Sequence, residues 1–322
     1  MRKLEKSTYL ILDQNEFPAD LDFDDGAVLL IAKPAGMSSF GVVSRVRRIC
    51  RARKAGHAGT LDPTASGLLL VLTGKATRLQ HQFMDLEKEY QATILLGCVT
   101  DTDDLEGRVL RRSPFDFVNR GRIIQLLSTE FLGERLQTPP IYSALKIAGK
   151  PAYRRARRGE AVTPQLRYVK LLECEVQAWN PPEVTLRLRC SSGFYVRSLA
   201  RELGEKLGCG GTLKSLSRTR IGSFHLERAL SLDELEARFS LCWITLTMEN
   251  NGNAAFDPIE VHHDGICGPR STGLSVVTVG SFDGVHLGHQ EILKRLNAAA
   301  GESLMRTVVT FEPHPQSIIK RG

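Results

Sequence analysis

The residues Gly56-His57-Ala58-Gly59-Thr60-Leu61-Asp62-Pro63-Thr64-Ala65-Ser66-Gly67 set one carboxylate, Asp62, among three glycines and a proline. Glycine tolerates φ > 0 and close approach of a ligand, while Pro63 fixes its own φ and biases Asp62 away from helix. The apolar run after Gly67 reads as a buried strand. An acid is thus held at the mouth of a core element, beside His57 and with no second carboxylate close in sequence. A lone carboxylate so placed can act as a nucleophile or as a general base. An Asp-Pro step in a glycine-rich turn is also an ordinary way to end a loop.

The elements around this loop follow from periodicity. Residues 1–26 carry no strong pattern and are expected to form a loose leader. Ala27 to Ala32 reads as an apolar strand stopped by Pro34 and Gly36. Ser38 or Ser39 can cap the helix that follows, whose Val42, Val43, Val46, Ile49 and Cys50 make an apolar stripe. Lys75 to Met84 predicts a short helix, and Lys88 to Gly97 a strand with Tyr90 near its start, where an aromatic is ordinarily core or a cross-strand partner. Thr100 to Gly107 is an acidic turn without the glycine and terminal glutamate of a calcium loop. Val118 to Leu127 has helical periodicity. Arg167 to Ala178 and Glu183 to Cys190 predict a hairpin through Pro181 and Pro182. A helix beginning near Tyr195 turns Val196, Leu199, Ala200, Leu203 and Leu207 inward and puts Arg197 in its first turn. A cation gains nothing from the dipole there, so the position suggests a specific anionic partner, against the plainer reading of an exposed arginine.

Composition bounds the class. The chain of 322 residues is 42% hydrophobic and 25% charged, enough for a sizeable core and more than one domain. A net charge of +7 favours a polyanionic partner modestly. The arginines cluster at Arg45 to Lys54, at Arg154 to Arg158 and at Lys214 to Arg220, and a cluster abutting the Asp62 loop favours nucleic acid. Seven cysteines without a C-x-x-C pair fit reduced thiols and argue against a zinc site or disulfide framework. No stretch approaches a membrane span, and a cytoplasmic location is expected.

The Asp62 string closely resembles the catalytic-aspartate motif, G-H-x-G-x-L-D-P-x-A-x-G-x-L, of the bacterial tRNA pseudouridine-55 synthases, the TruB family. Four further stretches match in the family's order: Lys33-Pro34-Ala35-Gly36, Lys88-Glu89-Tyr90, Pro139-Pro140-Ile141-Tyr142-Ser143-Ala144-Leu145-Lys146, and Gly193-Phe194-Tyr195-Val196-Arg197. The resemblance covers about residues 27–240. It implies an α+β pseudouridine synthase fold, a mixed, largely antiparallel sheet with flanking helices and the cleft over the sheet. It implies an isomerase that flips uridine 55 out of the T loop of tRNA, breaks its glycosidic bond and rejoins the base through C5. By the same resemblance Asp62 is nucleophile or base, Tyr90 packs on the base and helps remove the C5 proton, and Arg197 pairs with Asp62. His57, Tyr195, Lys33 and Leu213 are carried over as substrate-binding; a satisfied loop histidine and a core leucine are the plainer readings of His57 and Leu213. No cofactor and no metal are implied. The implied partner is tRNA through its T arm, with no membrane and no obligate protein partner. A tRNA-binding or folding protein without chemistry is the alternative, and it would survive loss of Asp62.

Past Phe239 this resemblance stops. Residues 241–273 read as a linker, where the family commonly carries a small RNA-binding module. Leu274 to Val279 reads as a strand, and Gly280-Ser281-Phe282-Asp283-Gly284-Val285-His286-Leu287-Gly288-His289 is similar to the nucleotide-binding motif of bacterial FAD synthetases, the riboflavin kinase/FMN adenylyltransferase proteins. Thr310-Phe311-Glu312-Pro313-His314-Pro315 fits the same family. Residues 274–322 are therefore expected to be a truncated, inactive α/β nucleotidyltransferase-like fragment, joined by fusion or read-through near Met248. Were it to bind ATP, that family's pattern would put His286 and His289 on the phosphates, which makes FMN adenylyltransferase-type binding a further alternative.

Overall fold

The computed structural model describes residues 9–17, 21–142, 146–147, 150–151, 165–246, 260–262, 275–279 and 305–311, with side chains described for 9–17, 21–142 and 165–239. The strands, in chain order, are β1 (Leu10–Leu12), β2 (Ala27–Lys33), β3 (Ala55–His57), β4 (Ser66–Thr73), β5 (Lys88–Leu96), β6 (Cys98–Thr100), β7 (Val109–Arg112), β8 (Gly133–Gln137), β9 (Lys146–Ile147), β10 (Lys150–Pro151), β11 (Arg167–Asn180), β12 (Glu183–Cys190), β13 (Gly211–Ile221) and β14 (Phe224–His225). The α-helices are α1 (Ser39–Ile49), α2 (Gln80–Met84), α3 (Arg120–Leu126), α4 (Val196–Leu207) and α5 (Leu232–Ser240).

A mixed sheet runs in the order β1-β2-β4-β13-β5-β12-β11-β8, with β3 beside β4 and β14 beside β13. The β1–β2 and β4–β13 pairs are parallel, and the other pairs are antiparallel, as the family resemblance implied. The apolar run of β4 explains its central place. Leu69 and Val71 pack with α1 residues Val42, Val43 and Val46 on one face, and Leu68, Leu70 and Leu72 pack with Phe83 on the other. Each such fully buried aliphatic side chain contributes roughly 1.5–3 kcal/mol. A second core unites Ile94, Leu186 and Leu188 of the sheet with Leu199 and Leu203 of α4. That packing fixes the start of α4 over the sheet, and with it Arg197.

Ser38 caps α1, its side chain accepting from the Gly41 amide, and the 181–182 turn joins β11 to β12 as the sequence suggests. Four segments depart from expectation. The leader is not loose throughout: Leu10–Leu12 pairs with β2, and Phe17 packs against Phe23 and Phe239. A three-residue strand is too short to show periodicity. Lys75 to Met84 divides into a 3-10 turn (Gly74–Leu79) and α2, and Val118 to Leu127 yields α3 followed by a π-turn at Leu127–Phe131. Within the expected linker, β15 (Leu241–Leu246) and β16 (Glu260–His262) join β17 (Ser275–Val279) and β18 (Met305–Phe311) in a four-stranded sheet ordered β16-β15-β18-β17. The β-branched and aromatic run Cys242-Trp243-Ile244-Thr245 has the propensity to pair with β18.

Candidate active site

The Asp62 turn is bolted to the body by backbone contacts. Ser39 Oγ donates to the Leu61 carbonyl and accepts from the Leu61 amide, both at 2.9 Å. The Gly36 amide donates to the Pro63 carbonyl at 2.8 Å. Lys33, 1% exposed, donates from Nζ to the carbonyls of Pro34 (2.8 Å), Pro63 (3.2 Å) and Ala65 (2.5 Å). Burial brings the Lys33 ammonium down to about 8, with Asp62 opposing and Arg218 adding to the shift. Lys33 therefore braces the loop from below rather than opening into the cleft.

Arg197 reaches Asp62 from the first turn of α4. Its Nε lies 3.0 Å from Asp62 Oδ2, off the line of a hydrogen bond, and its Nη2 donates to Oδ1 at 3.2 Å. The same guanidinium donates to the carbonyls of Thr102 (3.1 Å) and Tyr142 (3.0 Å) and stands 3.4 Å from Asp104 Oδ2. The anionic partner inferred from its place on the helix is thus Asp62, with the acidic turn as a second support. The Asp62 side chain keeps 38% of its surface open. Desolvation pushes its carboxyl above the usual range, Asp104 adds to this, and Arg197 and Lys33 pull it back.

Asp62 and Arg197 open into a cleft of about 680 Å³ over the sheet, lined also by Tyr90, Lys88, Arg218 and Tyr195. Tyr90 and Lys88 share a face of β5, where the burial alternates residue by residue. Burial raises the Tyr90 phenol; the Arg218 guanidinium opposes this. Tyr195 is held by Gln137, a buried amide that accepts from its N–H at 2.8 Å and donates to its carbonyl at 3.1 Å. Around this cleft Lys88, Arg167, Arg197 and Arg218 face Asp62 and Asp85, a surplus of cations suited to an anionic ligand.

Four of the residues chosen from the sequence therefore meet: Asp62, Tyr90, Arg197 and Tyr195. Three stand apart. Lys33 lies beneath the loop. His57, on β3, does not line the cleft; its Nδ1 is buried without a hydrogen-bond partner among the described residues, and burial followed by Arg218 lowers its pKa. Leu213 belongs to the core and to a small hollow behind the Asp62–Arg197 pair, while Leu216, three residues on, stands on the cleft wall. Lys88 and Arg218 were not singled out as site residues, although a lysine two positions before Tyr90 on an apolar face was a usable signal. His286 and His289 lie outside the described residues.

The basic clusters divide on inspection. Arg47, Arg48, Arg51, Arg53 and Lys54 are exposed, Arg53 with Asp24 3.3 Å away, whereas Arg45 is engaged by Asp233 (2.8 Å) and Glu236 (2.5 Å). In the third cluster Lys214 pairs with Glu183 and Arg220 with Glu89 at 3.5 Å, and Arg218 is buried. Arg154 to Arg158 lie outside the described residues. Among the described residues no group of three or more His, Cys, Asp and Glu is arranged to hold a metal ion, and no helix is long and apolar enough to cross a membrane.

The comparisons with known proteins assign this mixed sheet and its arginine-held aspartate to the pseudouridine synthases. Residues 47–196 match the TruB family pseudouridylate synthase N-terminal domain, and residues 197–250 match the tRNA pseudouridylate synthase B C-terminal domain. The chain belongs to the TruB family. It is 43% identical over 210 residues to tRNA pseudouridine synthase B of Opitutus terrae, covering 65% of this chain and 87% of that protein. It is 46% identical over 222 residues to the protein of that name from Thermobifida fusca, covering 66% and 75%. A Cbf5-Nop10-Gar1 complex contains a similar chain, with a TM-score of 0.53, 30% identity, and coverage of 71% of this chain and 63% of that one. The C-terminal match begins at Arg197 itself and runs eleven residues past Phe239. Residues 269–322 match FAD synthetase, in line with the resemblance of the tail.

Proposed function

We propose that this chain converts uridine 55 in the T loop of tRNA to pseudouridine, with Asp62, Tyr90 and Arg197 as its catalytic residues. The observation that carries the reading is the Asp62–Arg197 pair, which keeps a half-open carboxylate aimed into a cation-rich cleft beside Tyr90. A base inside a folded loop must leave its stack to reach such a cleft, at a cost of a few kcal/mol. Tyr90 offers it a stacking face, and Tyr195 borders the same space.

The rearrangement is redox-neutral and its atoms balance within the nucleotide. Asp62 either adds to C1′ or takes the C2′ proton, and by both routes the C1′–N1 bond breaks with its electron pair on the uracil. The base turns and C5 bonds to C1′ as the Asp62–C1′ bond breaks, or as Asp62 gives the proton back to C2′; the C5 proton then leaves while N1 gains one. Tyr90 helps that proton leave. Arg197 keeps Asp62 ionised against the burial that raises its pKa. The exposed arginines from Arg47 to Arg53 are proposed to grip phosphates of the T arm, an attraction that weakens as salt rises. Residues 27–240 form the synthase unit in this reading, working in the cytoplasm, and residues 274–322 a separate nucleotidyltransferase-like unit.

Tritium release from C5-labelled uridine in a T-arm RNA tests the proposal. Release by the wild-type chain and none by Asp62→Asn, with RNA binding retained, is the expected result. Release by both would remove Asp62 from the chemistry, and release by neither would leave a binding protein.

A further inference from the structure

Arg218 is 1% exposed on β13, yet it lines the cleft. Its Nε donates to the Leu68 carbonyl at 2.8 Å and its Nη2 to the Gly59 carbonyl at 3.1 Å. Among the described residues no carboxylate stands within ion-pair distance of it. Carbonyl dipoles offset part of the cost of burying a guanidinium, but an unmatched buried charge is otherwise strongly unfavourable. Arg218 and Tyr90 are directly opposed partners on β13 and β5, so their side chains leave the sheet on the same face. Lys88 stands two residues from Tyr90 on that face. Asp62 and Asp104 answer the charge of Arg197, and nothing comparable answers Arg218.

We propose that Arg218 is a charge-stabilising residue of the synthase reaction, its guanidinium facing the anion that forms on the uracil when the glycosidic bond breaks. The inference rests on the function proposed above. With the base stacked on Tyr90, Arg218 sits at its edge. Heterolysis of C1′–N1 leaves the electron pair delocalised over N1, O2 and O4 until C5 donates a pair back to C1′. A fixed, buried cation stabilises such a transient charge far more than the neutral base before it. The lining residue Lys88 adds to the same field. A phosphodiester of the flipped nucleotide is the other anion that could meet Arg218, and it would be present before and after the reaction alike.

Single-turnover kinetics and RNA affinity distinguish these sources. Arg218→Gln and Arg218→Lys are compared with wild type on C5-tritiated T-arm RNA, with thermal unfolding of each chain recorded. The rate is expected to fall about 100-fold in Arg218→Gln, as on removal of one oxyanion donor. The dissociation constant should stay within about threefold, since the uracil anion is absent from the ground state. Arg218→Lys should fold like wild type and recover part of the rate. A loss confined to affinity, with a flatter salt dependence, would assign the arginine to a phosphate and overturn the proposal. So would an unchanged rate. Asp62→Asn runs alongside: wild-type release that vanishes in that variant upholds the underlying reading whatever Arg218 does.

Discussion

Gly67 and Arg218 lie opposite each other where β4 runs parallel to β13, so close that a β-carbon on Gly67 would stand 2.4 Å from the Arg218 carbonyl oxygen. The backbone of Gly67 is left-handed, with φ of +106°. This contact sets the distance between the strand that follows Asp62 and the strand that carries Arg218. Gly67→Ala should therefore be destabilising by about 3 kcal/mol, combining overpacking with a strained φ. Urea unfolding measures it, and a loss below about 1 kcal/mol would mean that the strands part without cost.

Arg197 holds Asp62 through Nη2 while its planar guanidinium also donates to the carbonyls of Thr102 and Tyr142, a set of contacts lysine cannot reproduce. Arg197→Lys is expected to lower the single-turnover rate at least about 100-fold, the scale of losing one fixed electrostatic contact in a site. Arg197→Met removes the charge as well. The carboxyl of Asp62, already raised by burial, then loses the group that pulls it back and rises further. In the proposed mechanism the ionised form is the active one, so the acid limb of the pH–rate profile should move to higher pH. An unmoved limb would show that another group controls Asp62.

The Lys33 brace has a pH signature. Its pKa is 10.5 in the unfolded chain and about 8 in the folded one. Below about 8 both states are protonated and the folded state bears the full cost of the buried charge. As pH rises toward 10.5 the folded state releases the proton first, so stability attributable to Lys33 increases across that window and levels off above it. The wild-type chain should thus gain up to about 3 kcal/mol relative to Lys33→Met between neutral pH and the top of the window. Lys88, also lowered to about 8, and the cysteines Cys50, Cys174 and Cys190, pushed up to about 12, titrate in overlapping ranges. They are common to both chains and cancel in the difference. Urea unfolding at several pH values reads it, and a flat difference would mean that the three carbonyls keep the ammonium at its ordinary pKa.

The Asp62 turn was legible because its constraint is local: glycines and a proline write the backbone into the sequence. Arg197 was legible because a cation at a helix N-terminus needs an explanation. Leu213, assigned to substrate by the resemblance with a core leucine as the plainer reading, stands in the core. The β5–β13 register shifts between Leu213 and Ser215, and this bulge breaks the alternation that would assign each leucine to a face. Leu216 thereby reaches the cleft wall. Arg218 looks like a surface residue in a basic stretch, and its burial is a property of strands that arrive from elsewhere in the chain. The order of the sheet, with β13 between β4 and β5, depends on pairings more than a hundred residues apart and has no local trace.

The end of α5 marks where the synthase unit should be complete. Leu232 and Leu235 are buried in the core that contains β2 and α1, Arg45 pairs with Asp233 and Glu236, and Phe239 packs edge-on to Phe17. The strands β15 to β18 pair among themselves and not with the main sheet. A chain ended at Ser240 should keep the rate of pseudouridine formation within about twofold and the same cooperative unfolding. One ended at Ser231 removes two buried leucines, each worth about 2–5 kcal/mol on truncation, together with the aromatic contact, and should lose both. Loss of activity in the longer chain, with its fold intact, would show instead that residues beyond Ser240 hold the RNA. A steeper salt dependence in the full-length chain would then locate the missing phosphate contacts in that segment.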